Sequence, residues 1–351
     1  MKQIINIDGR EISPNHAPYI IAEMSANHNG KIENAFYLLE SAKKSGADAV
    51  KIQTYTADTL TLDSNLPDFQ ITEGLWQGKS LYELYESAHT PWDWHPELFD
   101  YARRLGITLF SSPFDNTAVD LLEDLNAPAY KIASFEIVDH GLIRYAASTG
   151  KPLFISTGMA NQDEIEEAIE VALEAGCQEL AVLLCVSAYP ADAKDYNLAT
   201  LTDMQNRYEV LVGLSDHTLG NTTAIASIAL GARIVEKHFT LSRANGGPDD
   251  SFSIEPPQLD ELVKECHTAW QAIGKADYRR KQGEKDNIKF RRSLYFVSNL
   301  SAGDTITDTD IRSIRPGFGL KPKYDQEVVG AILLQDVVPG TPVSWELLKL
   351  R

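Results

Sequence analysis

Eight short β-rich runs alternate with helix-like stretches through the first three-quarters of the chain, and no other feature constrains the fold as tightly. The runs are YIIAEMSA (19–26), AVKIQTY (49–55), TLFSSPF (108–114), AYKIAS (129–134), LFISTGM (153–159), LAVLLCVS (180–187), VLVGLSDH (210–217) and ARIVEKHF (232–239). Amphipathic stretches such as IENAFYLLESAKKSG, HPELFDYARRLG and DEIEEAIEVALEAG fall between them, and PQLDELVKECHTAWQAIG closes the series. Several stretches end on glycine just before the next run (Gly46, Gly106, Gly150, Gly176, Gly231), as helix C-caps do. Strand followed by helix, eight times over, predicts an α/β chain folded as a (β/α)8 TIM barrel. The connection over 56–94 is long, carries Trp76, Trp92 and Trp94, and is expected to cover the barrel mouth.

After Gly274 the pattern changes. Residues 275–292 are charged and poor in apolar side chains, which predicts a linker. Residues 293–351 are strand-like with turns at Ala302-Gly303 and Pro316-Gly317, a small β-rich module beside a catalytic-sized domain at 1–274.

Almost every run ends in polar or ionisable residues, and the carboxyl ends of barrel strands are where this fold places its chemistry. The runs supply Glu23, Lys51 with Gln53, Ser111 with Ser112, Lys131 with Ser134 and Glu136, Ser156 with Thr157, and Ser187 with Tyr189. The last two supply Ser215, Asp216 and His217, then Glu236, Lys237 and His238. Strand side chains alternate faces, so Lys51 points with Gln53, Ser215 with His217, and Glu236 with His238. Two lysines and several hydroxyls on one rim suit a phosphate or carboxylate ligand, and the helix after STGM is expected to add backbone donors. The competing reading pairs those lysines with Glu236 and Asp216 and leaves nothing to bind.

His217 and His238 end consecutive strands and form half of a metal site. A carboxylate such as Glu23 or Asp249, with water or substrate oxygen, would complete an open site suited to Mn²⁺ or Mg²⁺. A closed zinc site is not expected, because no cysteine falls near these histidines in sequence. His28 is a candidate substrate contact. His89, His95, His140 and His267 are expected to be solvated or packed.

A net charge of −18 argues against a nucleic-acid partner. No run reaches the roughly 18 apolar residues that a membrane span needs. The N-terminal MKQIINIDGREI lacks a signal peptide's apolar core. Three scattered cysteines predict reduced thiols and a cytoplasmic setting.

These segments, taken in order, resemble the sialic acid synthase family and more closely its pseudaminic acid synthase branch. The resemblance is carried by AEMSANHNG (22–30), KIQTY (51–55), SSPFD (111–115), KIASFE (131–136), STGM (156–159), CVSAYP (185–190), GLSDHT (213–218), EKHFT (236–240), GPDDSFSIEP (247–256) and RPGFGL (315–320). It covers nearly the whole chain, including a C-terminal module similar to the family's antifreeze-like (SAF, β-clip) domain.

The resemblance implies condensation of phosphoenolpyruvate with an N-acetylated amino sugar. Lys51, Lys131, Ser134, Ser156, Ser187 and Ser215 would hold phosphoenolpyruvate, and Glu23 would handle the attacking water. His217 and His238 would hold a divalent metal: Mn²⁺ first, Mg²⁺ or Co²⁺ as alternatives. Gln53, Glu136, Tyr189, Asp249, Phe252 and Arg315 would meet the sugar, with Arg315 reaching into a neighbouring subunit's site in a domain-swapped homodimer. Two departures matter. Ser187 stands where sialic acid synthases often carry Asn, and DDSFS (249–253) has the pseudaminic rather than the D-H-x-A-S form. The acceptor implied is therefore 2,4-diacetamido-2,4,6-trideoxy-L-altrose. The alternatives are an N-acetylneuraminic or legionaminic acid synthase, a metal-dependent aldolase or amidohydrolase on the same barrel and, more remotely, a non-catalytic carbohydrate-binding scaffold.

Overall fold

The computed structural model describes residues 4–350, in two compact units, Met1–Gly274 and Lys275–Arg351. Two short strands come first, β1 (Ile5–Ile7) and β2 (Arg10–Ile12), paired antiparallel. Their turn is Asp8-Gly9, with φ of 49° and 80°, the left-handed pair a tight two-residue hairpin requires. The strand–helix alternation does not point to this hairpin; its local signal is the Asp-Gly set between isoleucines.

Eight parallel strands follow and close on themselves. They are β3 (Tyr19–Glu23), β4 (Ala49–Thr54), β5 (Thr108–Pro113), β6 (Tyr130–Ile132), β7 (Leu153–Ser156), β8 (Leu180–Cys185), β9 (Leu211–Asp216) and β10 (Ile234–His238). The closing pair, β10 with β3, matches Ile234 to Tyr19 and His238 to Glu23. All eight lie within the runs expected, and a helix separates each strand from the next, so the (β/α)8 barrel stands as anticipated. The 56–94 connection contains two short helices, Ala57–Leu60 and Leu81–Ala88.

The strands carry two cores because their side chains alternate. Tyr19, Ile21, Ala49, Phe110, Phe154, Leu183, Leu211 and Ile234 point into the barrel and pack with Ile5, Ile7 and Ile12 of the hairpin, which closes the amino-terminal end. Ile20, Ala22, Val50, Ile52, Leu109, Val182, Val212, Leu214 and Val235 point outward, under the helices. The helices answer them with apolar stripes. Leu259, Leu262, Val263 and Cys266 are buried on helix Pro256–Ile273 at helical spacing, and a fully buried leucine contributes roughly 1.5–3 kcal/mol. Ends are fixed locally: Asp115 caps Asn116–Asp124, Asp139 caps His140–Ser148, and Gly106 leaves His95–Leu105 at φ 70°.

Following each inward row toward its carboxyl end explains the site. Ile21 leads to Glu23, Ala49 to Lys51, Phe110 to Ser112, Phe154 to Ser156, Leu183 to Cys185 and Ile234 to Glu236. The barrel is therefore a greasy plug below and a polar layer above.

In the second unit, β11 (Ser293–Phe296) pairs antiparallel with β12 (Ile311–Ile314), and β13 (Ile332–Leu333) with β14 (Leu348–Lys349). Leu294, Phe296, Val328, Leu333 and Val343 form its core. Gly319 lets the chain cross close over Leu294, since a Cβ there would fall 2.2 Å from the Leu294 carbonyl oxygen. Residues Gln282–Phe290 form exposed 3-10 turns ahead of this sheet.

Candidate active site

The polar layer is built around four buried charges. The Lys51 ammonium lies 2.6 Å from Glu23 Oε2 and donates to Ser112 Oγ at 3.1 Å. Lys131 donates to Glu236 Oε1 at 2.8 Å, and that oxygen also accepts from Ser215 Oγ at 3.4 Å. Lys51 reaches Glu236 Oε1 at 3.8 Å, so the four groups form one ion network. Gln53 donates to Glu23 Oε1 at 3.2 Å. The competing reading is met only in part: Glu236 does take Lys131, but Lys51 sits on Glu23, Asp216 pairs with Lys237 instead, and the cluster is not saturated. Glu236 Oε2, Ser156 Oγ, Ser187 Oγ and Glu136 Oε2 are buried without hydrogen-bond partners.

Environment separates the carboxylates. Burial drives Glu23 above the ordinary range, outweighing Lys51. Burial also opposes ionisation of Glu236, but Lys131 and Lys51 overcome it and hold that group low. Burial raises Glu136 to about 7.

Two of the serines meet at the strand ends. Gly158 N donates to Ser134 Oγ at 3.1 Å, and a Cβ on Gly158 would lie 2.7 Å from that oxygen and 2.1 Å from Ser187 Oγ. Gly158 thus leaves open a cradle edged by Ser134 and Ser187. The expected helix N-terminus does not contribute: Asn161 and Glu164 cap it reciprocally, and its first turn is acidic. Ser111 also departs from expectation. It points outward, where it meets Thr54 Oγ1 at 2.6 Å, and only Ser112 faces the lysines.

Beside the ion network stand the imidazoles. The rings of His217 and His238 are 5.3 Å apart at their centroids, edge to face. His217 Nδ1 sits 2.8 Å from the Val186 carbonyl oxygen, which assigns the proton to Nδ1 and leaves Nε2 a free lone pair. His238 Nδ1 is buried without a partner, 4.0 Å from Asp249 Oδ2. Asp249 in turn accepts from Ser25 Oγ at 2.5 Å. Among the described residues no three His, Cys, Asp or Glu side chains gather tightly enough to enclose a cation. Two poised imidazoles with one nearby carboxylate therefore suit an open divalent site, completed by water or substrate, and not a closed one.

Of the sugar-side candidates, Gln53, Tyr189, Asp249 and Phe252 lie beside the ion network and the imidazoles. Tyr189 stacks 4.4 Å from His217 and 5.1 Å from Phe252, whose ring is also 5.1 Å from His238. Phe252 is buried in this aromatic packing. Arg315 belongs to the second unit, exposed just after β12.

Sequence reasoning missed one residue here. Cys185 faces inward with its Sγ 3.9 Å from His217 Nδ1, so a cysteine does fall near the pair, contrary to expectation. Parity along β8 could have found it. Trp76 donates to the Pro248 carbonyl at 3.2 Å and lies 6.1 Å from Tyr189, tying the long connection to the opposite loop. Glu236, placed on the same face as His238 by strand alternation, joins Lys131, Lys51 and Ser215 in the ion network. His28, by contrast, is fully buried between Trp94 and Thr90, with its Nδ1 accepting from Gly30 N, and is packing rather than a substrate contact. His95 is packed too, against Thr54 and the Pro91 carbonyl.

Comparison with known proteins agrees with this architecture. Residues 38–278 match the NeuB family and residues 291–349 the SAF domain. A pseudaminic acid synthase of Campylobacter jejuni is 41% identical over 92% of this chain and 94% of its own length. An N,N'-diacetyllegionaminic acid synthase of Legionella pneumophila is 33% identical over 93% and 94%. The crystal structure of an N-acetylneuraminic acid synthetase from Leptospira borgpetersenii, in complex with citrate, superposes with a TM-score of 0.73 at 28% identity, covering 82% of this chain and 95% of that one. The barrel with its charged upper layer, followed by a SAF module, belongs to the NeuB family.

Proposed function

We propose that this chain condenses phosphoenolpyruvate with 2,4-diacetamido-2,4,6-trideoxy-L-altrose and water, giving pseudaminic acid and phosphate. The observation that carries the reading is the pairing of an unsaturated lysine–carboxylate network with two free imidazole nitrogens at one barrel mouth. Higher identity to the pseudaminic than to the legionaminic enzyme supports the choice of acceptor.

Lys51 and Lys131 hold the anion, while Ser134, Ser156, Ser187 and Ser215 donate to its oxygens. The enol carbon C3 attacks the open-chain aldehyde, a C–C bond forms, and the carbonyl oxygen takes the electron pair. Water adds to the electron-poor C2 and gives its proton to Glu23. The bond from C2 to the phosphate oxygen then breaks, phosphate leaves with the bonding pair, and the ketone forms as the new hydroxyl passes its proton to that phosphate, while the proton on Glu23 goes to the sugar's new alkoxide. A divalent cation on His217 and His238, Mn²⁺ first and Mg²⁺ or Co²⁺ next, supplies Lewis acidity toward the aldehyde oxygen. Gln53, Glu136, Tyr189, Asp249 and Phe252 meet the sugar. Arg315 completes the sugar site of a neighbouring subunit, so the working form is a domain-swapped homodimer. The unpaired cysteines suit a reducing, cytoplasmic setting. No helix among the described residues is long and apolar enough to cross a membrane.

The test is phosphate release from phosphoenolpyruvate with Mn²⁺, comparing the trideoxy-altrose derivative with N-acetylmannosamine and the legionaminic precursor. Release with the first sugar, lost with chelator and restored by Mn²⁺, is expected. Preference for either other sugar overturns the acceptor, and no release with any returns the scaffold reading. The cross-subunit role has its own test. Arg315→Ala and Glu23→Gln proteins, each impaired alone, should regain activity when their subunits are exchanged; no recovery places Arg315 elsewhere.

A further inference from the structure

Behind the imidazole pair, on the outer face of the same two strands, lies a second set of buried charges that the reaction does not use. Asp216 and Lys237 are register partners on β9 and β10, with side chains 0% and 1% exposed. Val212, Leu214 and Val235 on the same outward rows are apolar and belong to the core under the helices. An ion pair here gives up hydration that a pair of apolar residues would not, so its presence calls for a role beyond packing.

The hydrogen bonds supply one. Lys237 Nζ donates to Asp216 Oδ2 at 2.8 Å and to the Thr218 carbonyl at 2.5 Å, and Thr218 N donates to Asp216 Oδ1 at 2.9 Å. The pair therefore grips the residues on both sides of His217. His217 itself donates its N–H to Tyr196 Oη at 2.7 Å and accepts at its carbonyl from Ala191 N at 3.0 Å, while its ring Nδ1 is held by Val186. Lys237 is also the residue just before His238, so one ammonium ties the two imidazole-bearing strand ends together.

We infer that Asp216 and Lys237 are positioning residues that lock the turn 216–218 to β10 and so set the separation of His217 and His238 for a divalent cation. The inference rests on the reading of the imidazoles as a metal pair. Metal ligation tolerates errors of only about 0.2 Å, which a pinned turn can meet and a loose one cannot. Supporting contacts of this kind typically carry roughly 10–100-fold in metal affinity.

The experiment measures Mn²⁺ binding to the full-length protein by the electron paramagnetic resonance signal of free Mn²⁺, with phosphoenolpyruvate affinity by calorimetry and melting temperature alongside. Asp216→Leu with Lys237→Met replaces both charges, leaves no orphaned one, and should melt close to the parent. Its Mn²⁺ affinity should fall at least about tenfold while phosphoenolpyruvate affinity stays within about twofold. Asp216→Asn with Lys237→Met keeps an acceptor for the Thr218 N–H and should fall between. It also carries the comparison if the apolar pair does not fold. Mn²⁺ affinity at the parent level in a folded variant overturns the proposal. So does parallel loss of both ligands with a collapsed melting temperature, which marks a purely structural pair. His217→Ala calibrates the scale: if it binds Mn²⁺ like the parent, the metal reading itself is wrong and the inference falls with it.

Discussion

The inner and outer faces of β9 and β10 carry charges at the same height, yet they are finished differently. Outside, Lys237, Asp216 and Thr218 satisfy one another completely. Inside, Lys131 and Lys51 are paired, but Glu236 Oε2, Ser156 Oγ, Ser187 Oγ and His238 Nδ1 are buried and unmet. An unmet buried polar atom costs about 1–3 kcal/mol, so several on the inner face and none in the outer group are what the proposed ligand site requires. Charge alone does not separate these two groups; unfinished hydrogen bonding does.

The sharpest way to break this contrast is to change an inner charge without changing its shape. Glu23→Gln keeps an acceptor for Gln53 but cannot take the proton from water. Turnover should fall roughly 10²–10⁴-fold in phosphate release, with the phosphoenolpyruvate KM moved little. A rate within about tenfold of the parent would remove Glu23 from the chemistry. Filling the cradle is the next largest effect. Gly158→Ala places a methyl 2.1 Å from Ser187 Oγ, so Ser187 or the 156–159 loop must shift. The expected result is a rise in phosphoenolpyruvate KM of about tenfold, on the order of the 1–3 kcal/mol that an impaired charge-assisted contact carries. An unchanged KM would mean that this gap is not where the anion sits.

Much of this was legible in the residues. Strand and helix periods are local properties, and ordered β-rich runs with glycine stops at Gly106 and Gly150 point to the barrel directly. That Lys51 shares a face with Gln53, and Glu236 with His238, followed from parity along each strand; that the face is the inner one did not. What failed was information that parity does not hold. Ser111 and Ser112 are adjacent, so one had to face away, and only the register of β5 decides which. Cys185 and His217 are 32 residues apart in sequence and meet only because β8 and β9 are neighbours. His28 could not be separated from a ligand contact until Trp94 and Thr90, far along the chain, were seen to enclose it. Satisfaction of a polar atom depends on such distant partners, which is why the contrast between the two faces required the folded molecule.

The smallest expected effect tests whether the unfinished face costs stability. Glu136 has an unmet Oε2, and burial raises its pKa from 4.5 to about 7. A carboxyl with a raised folded-state pKa binds more protons in the folded than in the unfolded chain between those values. Unfolding free energy therefore falls as pH rises through this window, and the penalty is fully present above about pH 7 and absent below about 4.5. Glu136→Gln removes the ionisation. At pH 8 the ligand-free variant should be more stable than the parent by about 2 kcal/mol, since each pH unit between the folded and unfolded values is worth roughly 1.4 kcal/mol before partial solvent access weakens it. At pH 4.5 the two should unfold together, and sugar turnover should drop although the protein has gained stability. Paired denaturant titrations at the two pH values decide it. Equal stability at pH 8 would mean that Glu136 finds water or a counter-charge in solution, and that its unmet oxygen belongs with the finished outer face.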